Sequence, residues 1–237
     1  MLAIDDLPGP VVTFLNVIGV KWPYINEDSV MQFASLVREF GTAVQTTHED
    51  ATAAIQGIAQ GYQSASTAQM SSGWAELSAR HVTELVDGSQ VLADALEAAA
   101  AYIVAQKVAA IVELVAMAAS FVADQAAAVA TFGLAEAAVP AIMAAGRALM
   151  DSLVQDLEQY IIGQVVEAAA KPLFEKVSAA MSGLDWSQTS PSGAQASTGL
   201  SLDAQVVRQH TAALREHAQT FRSHATTFQQ GVRELSF

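Results

Sequence analysis

The chain has 237 residues, no cysteine and a formal net charge of −13. The absence of cysteine excludes disulfides, thiol nucleophiles and cysteine-containing zinc sites. Sequence-independent binding of nucleic acid depends on Lys and Arg that neutralise phosphates, so the acidic balance argues against a nucleic-acid partner. Apolar residues recur at helical spacing and rarely alternate with polar ones, and this pattern predicts an all-α fold.

Two long stretches with helical periodicity predict an elongated helical hairpin over about residues 26–97. Apolar residues in 30–58 and again in 77–96 recur at steps of three, four or seven, which keeps one face of each helix apolar. Ser71–Gly73 lie between the two stretches and supply residue types that end one helix and cap the next. Trp74 beside this turn either covers the end of the hairpin seam or is an ordinary core aromatic.

The hairpin offers more apolar face than one intramolecular seam requires, and we therefore expect it to bind a second helical hairpin. Such a pairing would build a four-helix core. Gly57 and Gly61, one turn apart, are expected to let another helix approach closely. The residues predicted to contact the partner are Phe33, Val37, Phe40, Leu85 and Leu92.

Residues 98–150 are rich in Ala, Val, Ile and Met and carry few charges. Those charges interrupt every apolar run, which disfavours an ordinary transmembrane helix. At about 100° per residue, four polar residues fall on one narrow stripe. Two interpretations remain open: a central bundle helix with a thin solvated edge, or a membrane-inserting segment that lines a polar lumen. The stripe residues are Gln106, Glu113, Ser120 and Asp124.

The predicted bundle occupies residues 1–181, with further apolar helices over about 98–181, and a Ser/Gly-rich linker follows at 182–201. The last segment, 202–237, repeats every seven residues and predicts a heptad helix that packs on the acidic bundle or on another helix. One seam position is apolar, and the other carries three histidines: His210, His217 and His224. These histidines either flank the apolar seam or form a pH-responsive contact. Neighbours stand about 10 Å apart, too far to share a metal ion.

Motifs of known enzyme chemistry are absent from the sequence. There is no phosphate-binding loop ending in Lys and Ser/Thr, no His-Glu-x-x-His pair and no Gly-x-Ser-x-Gly elbow. Adjacent acidic pairs such as Glu49-Asp50 diverge by about 100° on a helix and read as solvated charges. We predict a non-enzymatic protein with no catalytic residues, no metal site and no cofactor.

The hairpin with its turn motif, Gly73, Trp74 and Glu76, resembles the WXG-type N-terminal domains of actinobacterial type VII (ESX) secretion substrates over roughly residues 7–125. It is similar to the N-terminal domains that precede polymorphic toxins and to the N-terminal domain of an outer-membrane channel protein that carries a necrotizing toxin. Glu76 stands where the family pattern has Gly. The family's export signal, Tyr with Asp four positions later, follows the second helix, whereas here its counterpart, Tyr24 and Asp28, precedes the first.

The resemblance implies a secretion or delivery module that binds a small WXG-type helical-hairpin protein or self-associates. It implies the N-terminal part of a longer toxin or effector, secreted through a type VII system or held at the cell surface, and cytoplasmic before export. The displaced Tyr24 and Asp28 pair favours an export signal supplied by the partner. The alternative function is a membrane-inserting or pore-forming helical protein that uses residues 98–150.

Overall fold

The computed structural model describes residues 6–130, 138–182 and 201–236. Within these ranges the secondary structure is helical except for two strands of two residues each, so the all-α prediction is confirmed. Short π-helical segments at Ser78–Val82 and Ile161–Ala170 interrupt the helical regions, and β1 (Tyr62–Gln63) pairs antiparallel with β2 (Ser201–Leu202). The α-helices are α1 (Gly9–Ile18), α2 (Glu27–Gly61), α3 (Ala65–Leu77), α4 (Thr83–Ala130), α5 (Val139–Tyr160), α6 (Lys171–Ser182) and α7 (Ala204–Glu234).

The predicted hairpin is present, but its loop lies nearer the N-terminus than the sequence suggested. The chain leaves α2 at Gly61 and enters α3 at Ala65. Ser64 caps α3 because its side chain accepts a hydrogen bond from the Thr67 backbone while the Thr67 side chain bonds back to Ser64. The two arms then run antiparallel, with Trp74 opposite Thr52 and Asp94 opposite Arg38.

The predicted turn motif is therefore corrected: Gly73, Trp74 and Glu76 lie inside α3. Isolated Ser and Gly residues lower helix stability by about 1 kcal/mol or less each relative to Ala, and a helix with a good cap tolerates them. The Ser64 and Thr67 capping box is a stronger signal for a helix start than the Ser-Ser-Gly sequence is for a helix end. The second arm also continues beyond residue 97, because α4 extends without a break to Ala130.

The described residues form two compact units. Unit 1 contains the described parts of Met1–Gln32, Ala95–Val166 and Ser236–Phe237, and unit 2 contains Phe33–Asp94 and the described parts of Glu167–Leu235. Most of the predicted linker, residues 183–200, lies outside the described residues. The helix of the heptad segment, α7, belongs to unit 2 together with most of α2.

In unit 1, α1 is a short apolar helix packed on α5. Gly19 ends α1 in the left-handed conformation, with φ of 73°, which glycine adopts without steric cost. Gly146 on α5 faces the Phe14 ring and Ile18, where a side chain would collide with them. Arg147 donates to the Ile18 carbonyl at 2.9 Å and so satisfies one of the last carbonyls of α1.

The buried seam of α4 in unit 1 consists of small and aliphatic side chains with one charged residue among them. Lys107 is 1% exposed, and its Nζ donates to Glu27 Oε2 at 2.8 Å and to the Ile25 carbonyl at 2.6 Å. Glu27 is 4% exposed and occupies the first turn of α2, where a carboxylate also interacts favourably with the helix dipole. The apolar members of the seam are Ala99, Ala100, Ile103, Ala110, Leu114 and Ala118.

In unit 2, α7 runs antiparallel to α2 and contacts it along most of its length. The His210 ring lies over Gly57 and Val206 lies over Gly61, so the predicted close approach of a helix at these glycines is confirmed. At the other end of α7, Gly231 lies against the Leu36 side chain. The Asp203 backbone donates to the Gly61 carbonyl at 2.8 Å, next to the β1–β2 pair.

The buried ion pair gives a first prediction. Changing Lys107→Met would leave the Glu27 carboxylate buried without its cation, and removing one partner of a buried pair costs about 3–5 kcal/mol. We expect that loss in the free energy of unfolding, measured by urea denaturation of the full chain. Lys171→Met is the matched control, since Lys171 and Glu167 form an exposed i,i+4 pair. Equal stability of the two variants would contradict the structural role of Lys107.

Candidate functional site

The most conspicuous surface of unit 1 is a row of exposed valines on α4, which we call the valine face. Its members are 39% to 66% exposed although valine side chains are commonly buried. They recur at helical spacing, so they share one side of the helix, away from the buried seam. Exposed apolar patches of this kind mark interaction sites. The valine face consists of Val104, Val108, Val112, Val115 and Val122.

The predicted polar stripe limits the exposed apolar surface on one side. Glu113 and Ser120 are exposed, whereas Gln106 and Asp124 are half-buried. At about 100° per residue, exposed alanines fall between the stripe and the valine face. Between residues 104 and 123, the exposed surface of α4 is therefore apolar from the buried seam to the stripe. These intervening residues are Ala105, Ala109, Ala116 and Ala123.

One described helical stretch, Thr83–Ala127, has the length and apolar composition needed to cross a bilayer. Central helices of soluble proteins meet the same criterion, so length and composition alone are weak support for a membrane span. Only 28% of its most apolar window is buried within the protein. This helix therefore presents apolar side chains that another surface could cover.

The five residues predicted to bind a partner lie in unit 2 and are covered to different degrees. Val37 and Leu92 are buried, and Leu85 is half-buried. Phe33 and Phe40 are half-buried, and both rings contact Phe228 of α7, with centroid separations of 6.4 and 5.1 Å. The aromatic part of the predicted surface thus faces a helix of the same chain.

The three predicted histidines lie on the half-buried side of α7, as the heptad pattern requires. His224 shares a hydrogen bond of 2.9 Å with the Thr47 hydroxyl on α2, and the His210 ring lies over Gly57. His217 is half-buried. Their predicted response to pH remains a prediction.

A different histidine, His48, meets the tryptophan of the turn motif. The two rings stack with centroids 4.9 Å apart and an interplanar angle of 19°, and Trp74 Nε1 donates to the Thr52 hydroxyl at 2.8 Å. They border an open cleft of 420 Å³ that Gln56 and Ser78 also line. His48 Nδ1 is buried without a hydrogen-bond partner among the described residues. Burial lowers the pKa of His48 below 6.5, and the charge of the adjacent Glu49 opposes this shift.

Sequence reasoning missed three of these features. Lys107 is one of the few charges of residues 98–150, and a lone cation among aliphatic residues signals a buried carboxylate partner. The valine face was visible as a second apolar stripe on α4, on a different side of the helix from the buried one. The contact of Trp74 with His48 was not visible, because it depends on where the hairpin loop falls.

No group of three or more His, Asp or Glu side chains in the described ranges is arranged to hold a metal ion. Most polar side chains around the cleft belong to Ser, Thr and Gln.

Comparison with protein families identifies the chain. A model of the WXG100-like domain matches residues 5–148, which include the whole hairpin and the valine face. The chain belongs to the WXG100-like domain family, whose members are helical proteins linked to type VII secretion and typically self-associate or pair as helical hairpins. The WXG100-like domain family is not a known enzyme family. Neither the curated proteins nor the solved structures contain a match to the chain.

His48 gives a second prediction, about pH. Because its pKa is lowered in the folded chain, the unfolded state binds more protons as pH falls. Stability should therefore drop as pH decreases through 6.5 towards the folded pKa, and the drop should be complete below the folded value. We expect wild type to melt at a lower temperature at pH 5.5 than at pH 7.5. The fall in melting temperature should be smaller for His48→Phe, which retains an aromatic ring against Trp74.

Changing His210, His217 and His224 together to Gln separates the two sets of histidines. If His48 accounts for the response, this triple variant keeps the pH sensitivity of wild type. Loss of sensitivity in the triple variant and its retention in His48→Phe would assign the response to α7.

Proposed function

We propose that this chain is a non-enzymatic delivery module of a type VII secretion substrate that binds a small helical-hairpin protein through the valine face. Membership of the WXG100-like family supports the link to secretion and the pairing of hairpins. The exposure of the valine face is the observation that carries the choice of surface. It lies within the matched residues and presents side chains that a helix of another protein can cover.

The chemistry of the surface suggests what the partner presents. Fully burying a valine side chain contributes about 1.5–3 kcal/mol, and five valines in one row could stabilise a helix–helix contact. The intervening alanines keep the surface flat and allow close approach of a helix. Glu113 and Asp124, which lie beyond the intervening alanines, favour a partner with Lys or Arg beside its apolar stripe.

In this proposal the chain is the N-terminal part of a longer toxin or effector, and its partner contributes the export signal. Tyr24 precedes α2 and Asp28 lies in its first turn. This position supports an export signal contributed by the partner. Tyr24 is exposed, and the family resemblance places the signal after the second helix. The proposal assigns no catalytic step and no cofactor to these residues.

Co-expression with small hairpin proteins encoded beside its gene tests the proposal. Val112→Asp would place a carboxylate in the centre of the buried contact, where it loses hydration without gaining a partner. We expect the affinity for the partner to fall roughly tenfold or more, which corresponds to about 1.4 kcal/mol or more. The measurement is titration calorimetry with wild type and variant.

Val91→Asp is the matched control, because Val91 is also an exposed valine of α4 but belongs to unit 2. Unchanged binding by Val112→Asp would overturn the choice of surface. A membrane role makes a different prediction, namely dye release from liposomes by wild type that disappears in Val112→Asp and in the Glu113→Leu, Asp124→Leu double variant. That outcome would replace the hairpin partner by a bilayer.

A further inference from the structure

We propose that the surface of α2 beneath α7 is a second helix-binding site, which α7 occupies in cis and which a helix of the partner hairpin can take over. This inference rests on the proposed function for the identity of that helix. We call the surface the α2 groove. It is lined by Phe33, Leu36, Phe40, Thr47, Gly57 and Gly61.

The α2 groove is shaped for a helix by its glycines and its aromatic end. At Gly57 and Gly61 a Cβ atom would collide with His210 and Val206, so the missing side chains create the space that α7 fills. At the other end, Phe33 and Phe40 hold the Phe228 ring between them. A close approach at one end and an aromatic pocket at the other fix the position of any helix that binds.

The contacts of α7 with this groove are weaker than its length suggests. None of the described side chains of α7 is fully buried. One seam position of its heptad is apolar, whereas the other carries His210, His217, His224 and Gly231. Apolar residues at both positions are what stabilise a helix seam. A helix with aliphatic residues at both positions would bury more apolar surface in the same groove.

Two of the five predicted partner-binding residues belong to this groove. Phe33 and Phe40 belong to it, and both now contact Phe228 in place of a partner. Binding of a partner there requires α7 to leave, so the effective concentration of the tethered helix sets the affinity that a partner must exceed. The groove therefore selects partners that carry an amphipathic helix with a continuous apolar seam.

Exchange can be measured with a defined ligand, a fluorescently labelled peptide of residues 201–237. In wild type, cis-bound α7 competes with the peptide. Phe228→Ala removes the ring held by Phe33 and Phe40 and leaves the groove itself unchanged. We expect this variant to bind the peptide roughly tenfold more tightly than wild type, because its own α7 competes less well. Phe174→Ala, which changes an exposed ring on α6, is the control and should bind like wild type.

A disulfide that holds α7 in the α2 groove tests whether α7 must leave before the peptide can bind. A Cβ atom at Gly61 would lie 3.0 Å from Val206 Cβ, and a Cβ atom at Gly41 would lie 3.0 Å from Ser89 Cβ. Cβ atoms in disulfides are about 3.8 Å apart, so both pairs need a similar small adjustment. The chain has no other cysteine. Oxidised Gly61→Cys, Val206→Cys ties α7 to α2, whereas oxidised Gly41→Cys, Ser89→Cys ties α2 to α4.

The proposal expects oxidation to lower peptide binding at least several-fold in the first cysteine pair and to leave it unchanged in the second. Equal binding by the oxidised and reduced forms of the first pair would overturn it. If Phe228→Ala does not fold, as circular dichroism would show, the cysteine pairs decide alone. The peptide experiment contains no partner hairpin and does not change the valine face of α4. Peptide exchange can therefore fail while a partner still binds the valine face, and it can succeed while no partner binds there.

Discussion

The buried ion pair between Lys107 and Glu27 is the interaction on which the arrangement of unit 1 most depends. The rest of the α4 seam is rich in alanine, and a smooth alanine surface sets the position of a facing helix only weakly. A lysine 1% exposed must find its carboxylate, because a buried charge without a partner is strongly unfavourable. The pair joins the first turn of α2 to the middle of the α4 seam. It therefore specifies which residues of α4 are buried and leaves the valine face on the outside.

Unit 2 is specified differently, by the absence of side chains. Gly57 and Gly61 on α2 and Gly231 on α7 each accept a side chain of the facing helix, and Gly88 accepts Leu173 in the same way. Such contacts fix the position of a helix through shape and need little buried area. This explains how α7 can be held in one position although none of its described side chains is fully buried. Strength and specificity of docking are thus separate properties in this unit.

The sequence predicted the fold class and the hairpin because both follow from apolar periodicity over long stretches, which is the most reliable local signal. It also predicted the approach of a helix at Gly57 and Gly61 and the half-buried face of α7. The loop was misplaced because Ser71–Gly73 was read as a helix end, while the capping pair of Ser64 and Thr67 went unnoticed. The contacts of Phe33 and Phe40 could not be assigned to α7, since periodicity identifies an apolar face without identifying what covers it. For the same reason, the exposed valines were indistinguishable from core residues.

The pairing of β1 with β2 has a consequence for synthesis of the chain. The two strands are paired although Tyr62 and Leu202 lie far apart in the sequence. The α2 groove is therefore complete long before α7, the helix that covers it, has been made. At 5–20 residues per second, the roughly 140 residues between α2 and α7 take about 7–28 s to translate. During that interval the nascent chain presents Phe33, Phe40 and the two glycines without a competing helix. A hairpin protein translated from a neighbouring message would meet the groove open, so the order of translation could decide which helix occupies it first.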